Sequence, residues 1–442
     1  MPPSYFLQMP LHLITLVLVE LDCIQSLGSA ILSHSSVYAA FKEYPKTVIY
    51  RILLKQIPRE LRSYAIIAHN TSWGGHRSPH ELRRYIRHAL RCTRGLSTDE
   101  ADLCLWRSLE RLHFSPAVAS SLSKTHMLVE HFTQRYLADT LPIAARDLFR
   151  GWEKSPTNAR RPSDDEVYRV RRALYRFQIY CNLVCIEHKD KQYRNLVRPF
   201  FIRWSPWVNE QLACIHDYLE GVLSQAFDEV AAHDILWGAS SVDWVSRGRN
   251  NTYKQAYLLY GLPFLYKIDH AKDYDERLGL LDSHGPVCII QGLAADLKSI
   301  AIPPHGPMWI LELEQWRTED FVVLAREEGD GPDGLQSGPF NTWWYAHMDV
   351  IALHSVLLPE NWRLRRCGYV MWDAPSSVEE TEDDEISFFE RRLRRIQRTG
   401  RRGLSEPEGA REEMERSWAE RTGVLRRGGH GYWAHGDLSK VV

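Results

Sequence analysis

The sequence predicts a mainly α-helical protein built from an N-terminal three-helix segment, a helical body and a mixed α+β C-terminal part. Apolar residues recur every three or four positions through the first 285 residues, which is the spacing of one face of an α-helix. Ser-x-x-Glu capping boxes, which mark helix starts, stand at 78–81, 97–100 and 163–166. Beyond residue 285, short β-like runs separated by glycine and proline replace the helical pattern.

The composition is that of an ordinary globular protein. The chain has 442 residues, of which 44 % are hydrophobic and 25 % are charged, and this excludes the disordered, collagen-like and disulfide-scaffold classes. At about 150 residues per domain, the length predicts two or three domains. We divide the chain into an N-terminal segment, a helical body, a mixed α/β region and a charged tail, at 1–50, 51–285, 286–375 and 376–442.

Charge and cysteine content indicate which partners and which cellular compartment to expect. Lys and Arg (55) nearly balance Asp and Glu (56), so no net field draws the chain to nucleic acid or to an anionic membrane, and we expect neither as a partner. Eight irregularly spaced cysteines favour a reducing compartment, the cytoplasm or the nucleus. The apolar stretch Leu11–Leu21 lacks the preceding basic residues of a signal peptide and is shorter than the ~20 residues that span a bilayer.

The N-terminal segment begins with three short predicted helices. Pro10 opens the first, since a proline at a helix start loses no hydrogen bond. Almost every residue of Leu11–Leu21 is apolar, whereas a surface helix would show a polar face. Further helices are predicted at 25–32 and 37–43. Because three short helices cannot cover a helix that is apolar all round, either the rest of the chain or a partner must cover it.

The helical body continues this pattern. Pro58 opens another predicted helix, and the first two capping boxes precede helices that run to about residues 95 and 112. The third capping box and Ser205-Pro206 each start a helix with a long apolar stripe, which must be buried against other helices. The polar segment 151–164 is the candidate linker. The stripes are Val167, Val170, Leu174, Phe177, Cys181 and Val184, and Val208, Leu212, Ile215, Leu219, Val222, Ala226 and Val230.

The C-terminal part mixes predicted strands with one helix, about 342–357. An acidic run at 379–385 precedes a basic run at 391–395. We interpret these runs as a solvated loop and an exposed helix, with a nuclear-localisation or nucleic-acid patch as the alternative. The predicted strands are Val287–Ile290, Trp309–Leu311, Phe321–Leu324 and Gly368–Trp372.

Two motifs have the spacing of ligand sites but simpler interpretations. Gly329–Gly334 matches GxGxxG, yet its acidic residues would repel a pyrophosphate, which favours an acidic loop. Cys181, Cys185 and His188 are spaced like zinc ligands on a helix, but Cys181 lies on an apolar stripe, where a buried cysteine acts as a small hydrophobe. We therefore expect no metal and no cofactor.

Other motifs offer acid–base, phosphate-binding or recognition chemistry. His216-Asp217 and His233-Asp234 have the residue types of general acid–base pairs. Sequence neighbours on a helix do not face each other, so we expect capping or surface roles. The arginines of 83–94 predict a solvated basic face, with phosphate binding as the alternative. The many C-terminal tryptophans favour core packing, with a recognition pocket as the alternative.

A series of mostly apolar residue pairs runs through residues 9–41. The pairs are Met9-Pro10, Leu13-Ile14, Val17-Leu18, Leu21-Asp22, Ser26-Leu27, Ile31-Leu32, Val37-Tyr38 and Ala40-Phe41. In this order and spacing they make residues 9–45 resemble an F-box, in the divergent form common in fungal F-box proteins. A weaker similarity to uncharacterised fungal F-box proteins extends to 39–61, 173–177, 207–234 and 429–440.

This resemblance implies a role as a non-catalytic adaptor. An F-box packs its three helices against the C-terminal helices of a Skp-type adaptor within a cullin–RING ubiquitin ligase, and the rest of the chain holds a protein substrate, here unknown. The alternatives are a helical interaction scaffold that binds no adaptor, and an enzyme with a site in 200–370 at which Cys214, His216 or His233 converge. The resemblance assigns adaptor binding to Pro10, Leu13, Ile14, Val17, Leu18, Leu21, Leu27 and Ile31, for each of which a place in the chain's own core is the alternative.

Overall fold

The described part of the chain is mainly α-helical, as predicted. It contains no β-strand, so the predicted mixed α+β C-terminal part is not supported there. None of the helices described is long and apolar enough to cross a membrane. The computed structural model describes residues 9–72, 115–149, 160–185, 200–201, 204–240, 242, 252–284, 292–300, 338–347, 356–373, 391–399 and 408–442.

The chain forms two compact units, Met1–Phe132 and Thr133–Val442, and the boundary falls inside one long helix. The first unit contains α1 (Leu11–Leu18), α2 (Ile24–Ser33), α3 (Ser35–Glu43), α4 (Pro45–Gln56), α5 (Arg62–Ser72) and the start of α6 (Pro116–Asp147). The second contains α7 (Asp164–Cys185), α8 (Pro206–His233), α9 (Ile235–Ser240), α10 (Thr252–Leu258), α11 (Gly261–His270), α12 (Tyr274–His284), α13 (Leu293–Ile300), α14 (Gly338–His347), α15 (Trp362–Arg366), α16 (391–399) and α17 (Glu408–Arg426).

In the first unit, the three predicted N-terminal helices are confirmed as α1, α2 and α3. Both α1 and α2 pack against α3, and α4 packs against α2 and α3. Helix α4 was not predicted; it begins with Pro45 and runs to Gln56, across the predicted domain boundary at residue 50. Pro58 leads into a single 3-10 turn, Arg59–Leu61, before α5 begins. The helices predicted after the first two capping boxes lie outside the described residues.

In the second unit, α8 is the central helix. It packs against α7 and against each of the helices from α9 to α15. The predicted start is confirmed, because the Ser205 side chain accepts a hydrogen bond from Val208 N at 3.3 Å and Pro206 occupies the first turn. The third capping box is reciprocal: Glu166 N donates to Ser163 Oγ at 3.2 Å, and Ser163 N donates to the Glu166 carboxylate at 3.0 Å.

The predicted strand Gly368–Trp372 is wrong, because these residues form turns that end α15. Gly368 has a φ of 63°, in the left-handed region that favours glycine. The Gly368 N–H donates to Arg365 O at 2.9 Å and the Tyr369 N–H donates to Leu364 O at 3.2 Å, which is the pattern of a Schellman helix stop. The other three predicted strands lie outside the described residues.

The remaining C-terminal predictions are partly confirmed. The helix predicted at 342–357 is present as far as the end of α14, residues 348–355 lie outside the described part, and residues 356–357 are not helical. The basic run lies on α16, as predicted, although Leu393 is buried. The acidic run lies outside the described residues. The chain's last residues pack on the end of α8, where Trp433 N donates to His233 O at 2.7 Å and Ile235 N donates to Gly431 O at 3.1 Å.

Candidate functional site

One face of α1 belongs to the core of the first unit. Pro10 precedes the helix, and its carbonyl accepts from Leu13 N at 2.9 Å. Ile14 and Leu18, one turn apart, are almost completely buried. Between them, the Thr15 hydroxyl donates across to Ala40 O of α3 at 3.3 Å. These contacts fix the rotation of α1 about its axis.

The opposite face of α1 is apolar and exposed. Leu13 is 38 % exposed, Leu16 is 60 % exposed and Val17 is 45 % exposed. Successive residues of a helix are 100° apart, so these three positions form one stripe that is turned away from Ile14 and Leu18. Within the described part of the first unit, no residue buries them. The sequence of α1 is apolar all round because one face packs in the core of the unit and the other face is an exposed apolar surface.

The C-terminal end of α1 is held by a lysine from α4. Lys55 Nζ donates to the Glu20 carbonyl at 2.8 Å and to the Glu20 carboxylate at 3.1 Å. Asp22 lies 3.9 Å from the same ammonium group. These side chains are exposed, so the ion pairs add little stability. Their role is to position the chain where it leaves α1.

Helices α2 and α3 also expose large apolar side chains. Leu32 on α2 is 87 % exposed, and Tyr38 on α3 is 53 % exposed. The inner residues Leu27, Val37 and Ala40 are buried between the helices. All three N-terminal helices, α1, α2 and α3, thus combine a buried inner face with exposed apolar groups.

The residues assigned to adaptor binding divide into three groups. Pro10, Leu13 and Val17 are exposed, and Leu21 and Ile31 are half-buried. The core contains Ile14, Leu18 and Leu27, whose side chains are not available to a partner in this conformation.

Leu16, the most exposed apolar side chain of α1, and Leu32 were not among the residues predicted to bind the adaptor. A pattern of adjacent pairs selects neighbours that point to different faces of a helix. The spacing 13, 16, 17 would have identified Leu16, since these positions share one face.

A buried polar network occupies the second unit around α8. His216 is fully buried, and its Nδ1 lies 3.1 Å from Asp217 Oδ1. The other Asp217 oxygen accepts from Arg365 Nε of α15 at 2.7 Å. The expectation that His216 and Asp217 do not face each other is wrong, because α10 and α15 pack over this side of α8 and enclose both side chains. Burial alone would raise the pKa of Asp217, but the charges of Arg365 and His216 outweigh burial and lower it.

Glu210 extends this network to a strained backbone position. Its carboxylate accepts from Leu357 N at 2.8 Å and from Arg365 Nη1 at 3.3 Å. Leu357 has a φ of 62°, which costs a residue with a side chain about 1–2 kcal/mol. Arg365 Nη1 also donates to Leu358 O at 2.8 Å. Glu210 and Arg365 together therefore hold the strained turn against α8.

The network brings together three potential metal-ligand groups. Single ligand atoms of His216, Asp217 and Glu220 lie within 4.8 Å of one another. Both ring nitrogens of His216 already face hydrogen-bond partners, Asp217 and Gln255, and Asp217 also accepts from Arg365. The arrangement is that of a hydrogen-bonded ion-pair network, and we assign no metal to it.

The residues of the enzymatic alternative do not converge. His216 and His233 lie on α8 nearly five turns apart, about 25 Å. His233 has the predicted helix-end role, since it stacks on Tyr432 and its Nδ1 lies 3.3 Å from Trp433 O. Cys214 is fully buried, and burial raises the pKa of its thiol, which is the opposite of nucleophile activation.

Other predicted features fall into the core or outside the described residues. Cys181 is buried and its Sγ donates to Leu258 O at 3.4 Å, which confirms a core role. The core also contains Trp343, Trp372 and Trp433, whereas Trp418 is exposed. The GxGxxG sequence, the arginines of 83–94, and the side chains of Cys185, His188, Trp309 and Trp316 lie outside the described part.

No protein-family model, curated protein or solved structure matches the chain. A function for it must therefore be argued from its own residues.

Proposed function

We propose that the exposed face of α1, together with exposed groups of α2 and α3, binds a Skp-type adaptor, and that the chain is an F-box-type substrate receptor. In this role it bridges the adaptor, and through it a cullin–RING ubiquitin ligase, to a protein substrate held by the rest of the chain. The proposal rests on the F-box resemblance of residues 9–45. The observation that supports it is the apolar stripe Leu13, Leu16 and Val17, which is exposed in the described part of the structure.

The exposed area sets the scale of the interaction. The exposed fractions of Leu13, Leu16 and Val17 are equivalent to about one and a half whole side chains, whose burial contributes about 2–4 kcal/mol. Burial of Leu32 as well would raise the total contribution to about 3–7 kcal/mol. Micromolar affinity corresponds to about 8 kcal/mol after the costs of association, so α1 alone is insufficient and α2 and α3 must take part.

A co-purification experiment with a Skp-type adaptor tests the proposal. Leu16→Asp combined with Val17→Asp places two charges on the stripe without touching the buried face of α1. Leu236→Asp is the matched control, because Leu236 of α9 is 51 % exposed and belongs to the second unit. Leu18 is unsuitable, since a charge at that buried position would disrupt the unit itself.

The expected result is that the wild-type chain and Leu236→Asp retain the adaptor and the double variant loses it, with unchanged circular dichroism. Failure of the wild-type chain to bind would leave the interaction scaffold as the better description. Retention of the adaptor by the folded double variant would contradict the assigned surface.

A further inference from the structure

The hydrogen bonds around His216 determine its protonation state. Its Nδ1 faces Asp217 Oδ1 at 3.1 Å, and its Nε2 faces Gln255 Oε1 of α10 at 3.0 Å. A carboxylate oxygen and an amide oxygen both accept hydrogen bonds and neither donates. Both ring nitrogens must therefore carry a proton for both contacts to form.

The orientation of the Gln255 amide is fixed from its other side. Gln255 Nε2 donates to the Glu220 carboxylate at 3.4 Å, so the amide oxygen is left to face the ring. The reversed amide would set its oxygen against the Glu220 carboxylate, and two acceptors would meet. Gly292 packs against the same side chain: a Cβ there would lie 2.9 Å from Gln255 Cβ. This packing holds the stem of the glutamine in place, and the hydrogen bond to Glu220 decides which way its amide faces.

We infer that His216 is a buried imidazolium that links α8 to α10 and, through Asp217 and Arg365, to α15, so that the second unit loses stability when the ring is deprotonated above neutral pH. The neutral ring keeps only one of its two protons, and either Asp217 or Gln255 then faces a bare nitrogen. A buried acceptor left without its donor is destabilising.

The charges around the ring agree with this inference. Asp217 and Glu220, both on α8, face it with negative charge, α10 contributes the neutral Gln255, and the Arg365 guanidinium of α15 faces Asp217 and not the ring. Burial alone would lower the pKa of His216, but the hydrogen bond to Asp217 and the charges of Glu220 and Asp217 raise it above its ordinary value.

The direction of the pH effect follows from linkage. A histidine whose pKa is higher in the folded than in the unfolded chain adds stability that is fully present below the unfolded pKa of about 6.5. This contribution is lost as the pH rises through the folded pKa. The second unit should therefore weaken as the pH is raised from 6 to 9, whereas a neutral buried histidine would give the opposite slope near pH 6.

Denaturant unfolding of the full chain at pH 6, 7, 8 and 9 tests the inference. The wild-type midpoint should fall with rising pH, and His216→Gln should abolish this slope because glutamine does not titrate. His233→Gln is the control, since it removes a histidine of the same helix that lies outside the network. A slope that persists in folded His216→Gln would overturn the inference.

A second measurement on the wild-type chain decides the question if His216→Gln does not fold. Nitrogen NMR of ¹⁵N-histidine-labelled protein distinguishes an imidazolium, with both ring nitrogens protonated, from a neutral ring. Gln255→Met, which removes one acceptor and changes little volume, identifies the His216 signals by their displacement. At pH 7 the displaced signals should be those of an imidazolium, and signals of a neutral ring would overturn the inference.

Discussion

The two faces of α1 predict opposite effects for two leucines only two positions apart. Leu18 is buried in the core of the first unit, whereas Leu16 projects from the exposed face. Leu18→Ala removes buried carbon and leaves a cavity, which costs about 2–5 kcal/mol of stability. Leu16→Ala should change stability by no more than about 0.5 kcal/mol. In an adaptor complex, the 60 % of Leu16 that is exposed would become buried, which contributes about 1–2 kcal/mol.

Two assays on the full chain measure these effects. Urea unfolding followed by circular dichroism should show a clear loss for Leu18→Ala and almost none for Leu16→Ala. Calorimetric titration with a Skp-type adaptor should show binding about fivefold weaker for Leu16→Ala, since alanine keeps part of the contact. Equal destabilisation by the two variants would contradict the two-faced structure of α1, because it would mean that the outer face is also buried.

Three further predictions concern the second unit. Ser163→Ala should lower its stability by about 1 kcal/mol in thermal unfolding, because the capping bond to Glu166 is lost, and Ser163→Thr should retain most of it. Gly368→Ala should lower the stability of the unit by at least about 1–2 kcal/mol, since alanine is strained at a φ of 63° and its Cβ would crowd the Tyr136 hydroxyl. Urea unfolding measures this loss, and an unchanged midpoint would contradict the helix-stop assignment. Acid should weaken the unit as the pH falls below about 3.8, the ordinary pKa of an aspartate. The pKa of Asp217 is lowered in the folded chain, so its contribution to stability is present above about 3.8 and is lost as the pH falls through the folded pKa. Asp217→Asn should therefore show a smaller acid-dependent loss of stability.

Local signals in the sequence predicted several of the described helices, but not α4. Ser163 with Glu166, and Ser205 with Pro206, are short-range chemistry, and each starts a helix where predicted. The prediction of a strand at Gly368–Trp372 was wrong because these apolar residues form turns that are buried in the core. Apolar content alone does not distinguish a buried strand from a buried turn, and the glycine was in fact the stop signal of α15.

Contacts between residues far apart in the chain were not predictable. His216 and Asp217 become an ion-pair network because Arg365, 148 residues after Asp217, packs over them. The α1 surface was partly predictable: its uniform apolarity indicated two buried faces or a partner, but pair matching selected Leu18 and missed Leu16. Which face of α1 is exposed depends on how α3 packs against it, and the pattern of apolar residues within α1 does not contain that information.

Amide hydrogen exchange of the full chain, with and without a Skp-type adaptor, tests whether the adaptor binds the exposed face of α1. We expect the adaptor to slow exchange in peptides covering 9–33, where α1 and α2 lie, and to leave the peptides of α8 unchanged. Exchange that is unchanged in 9–33 while the adaptor binds, or protection confined to the second unit, would contradict binding at α1.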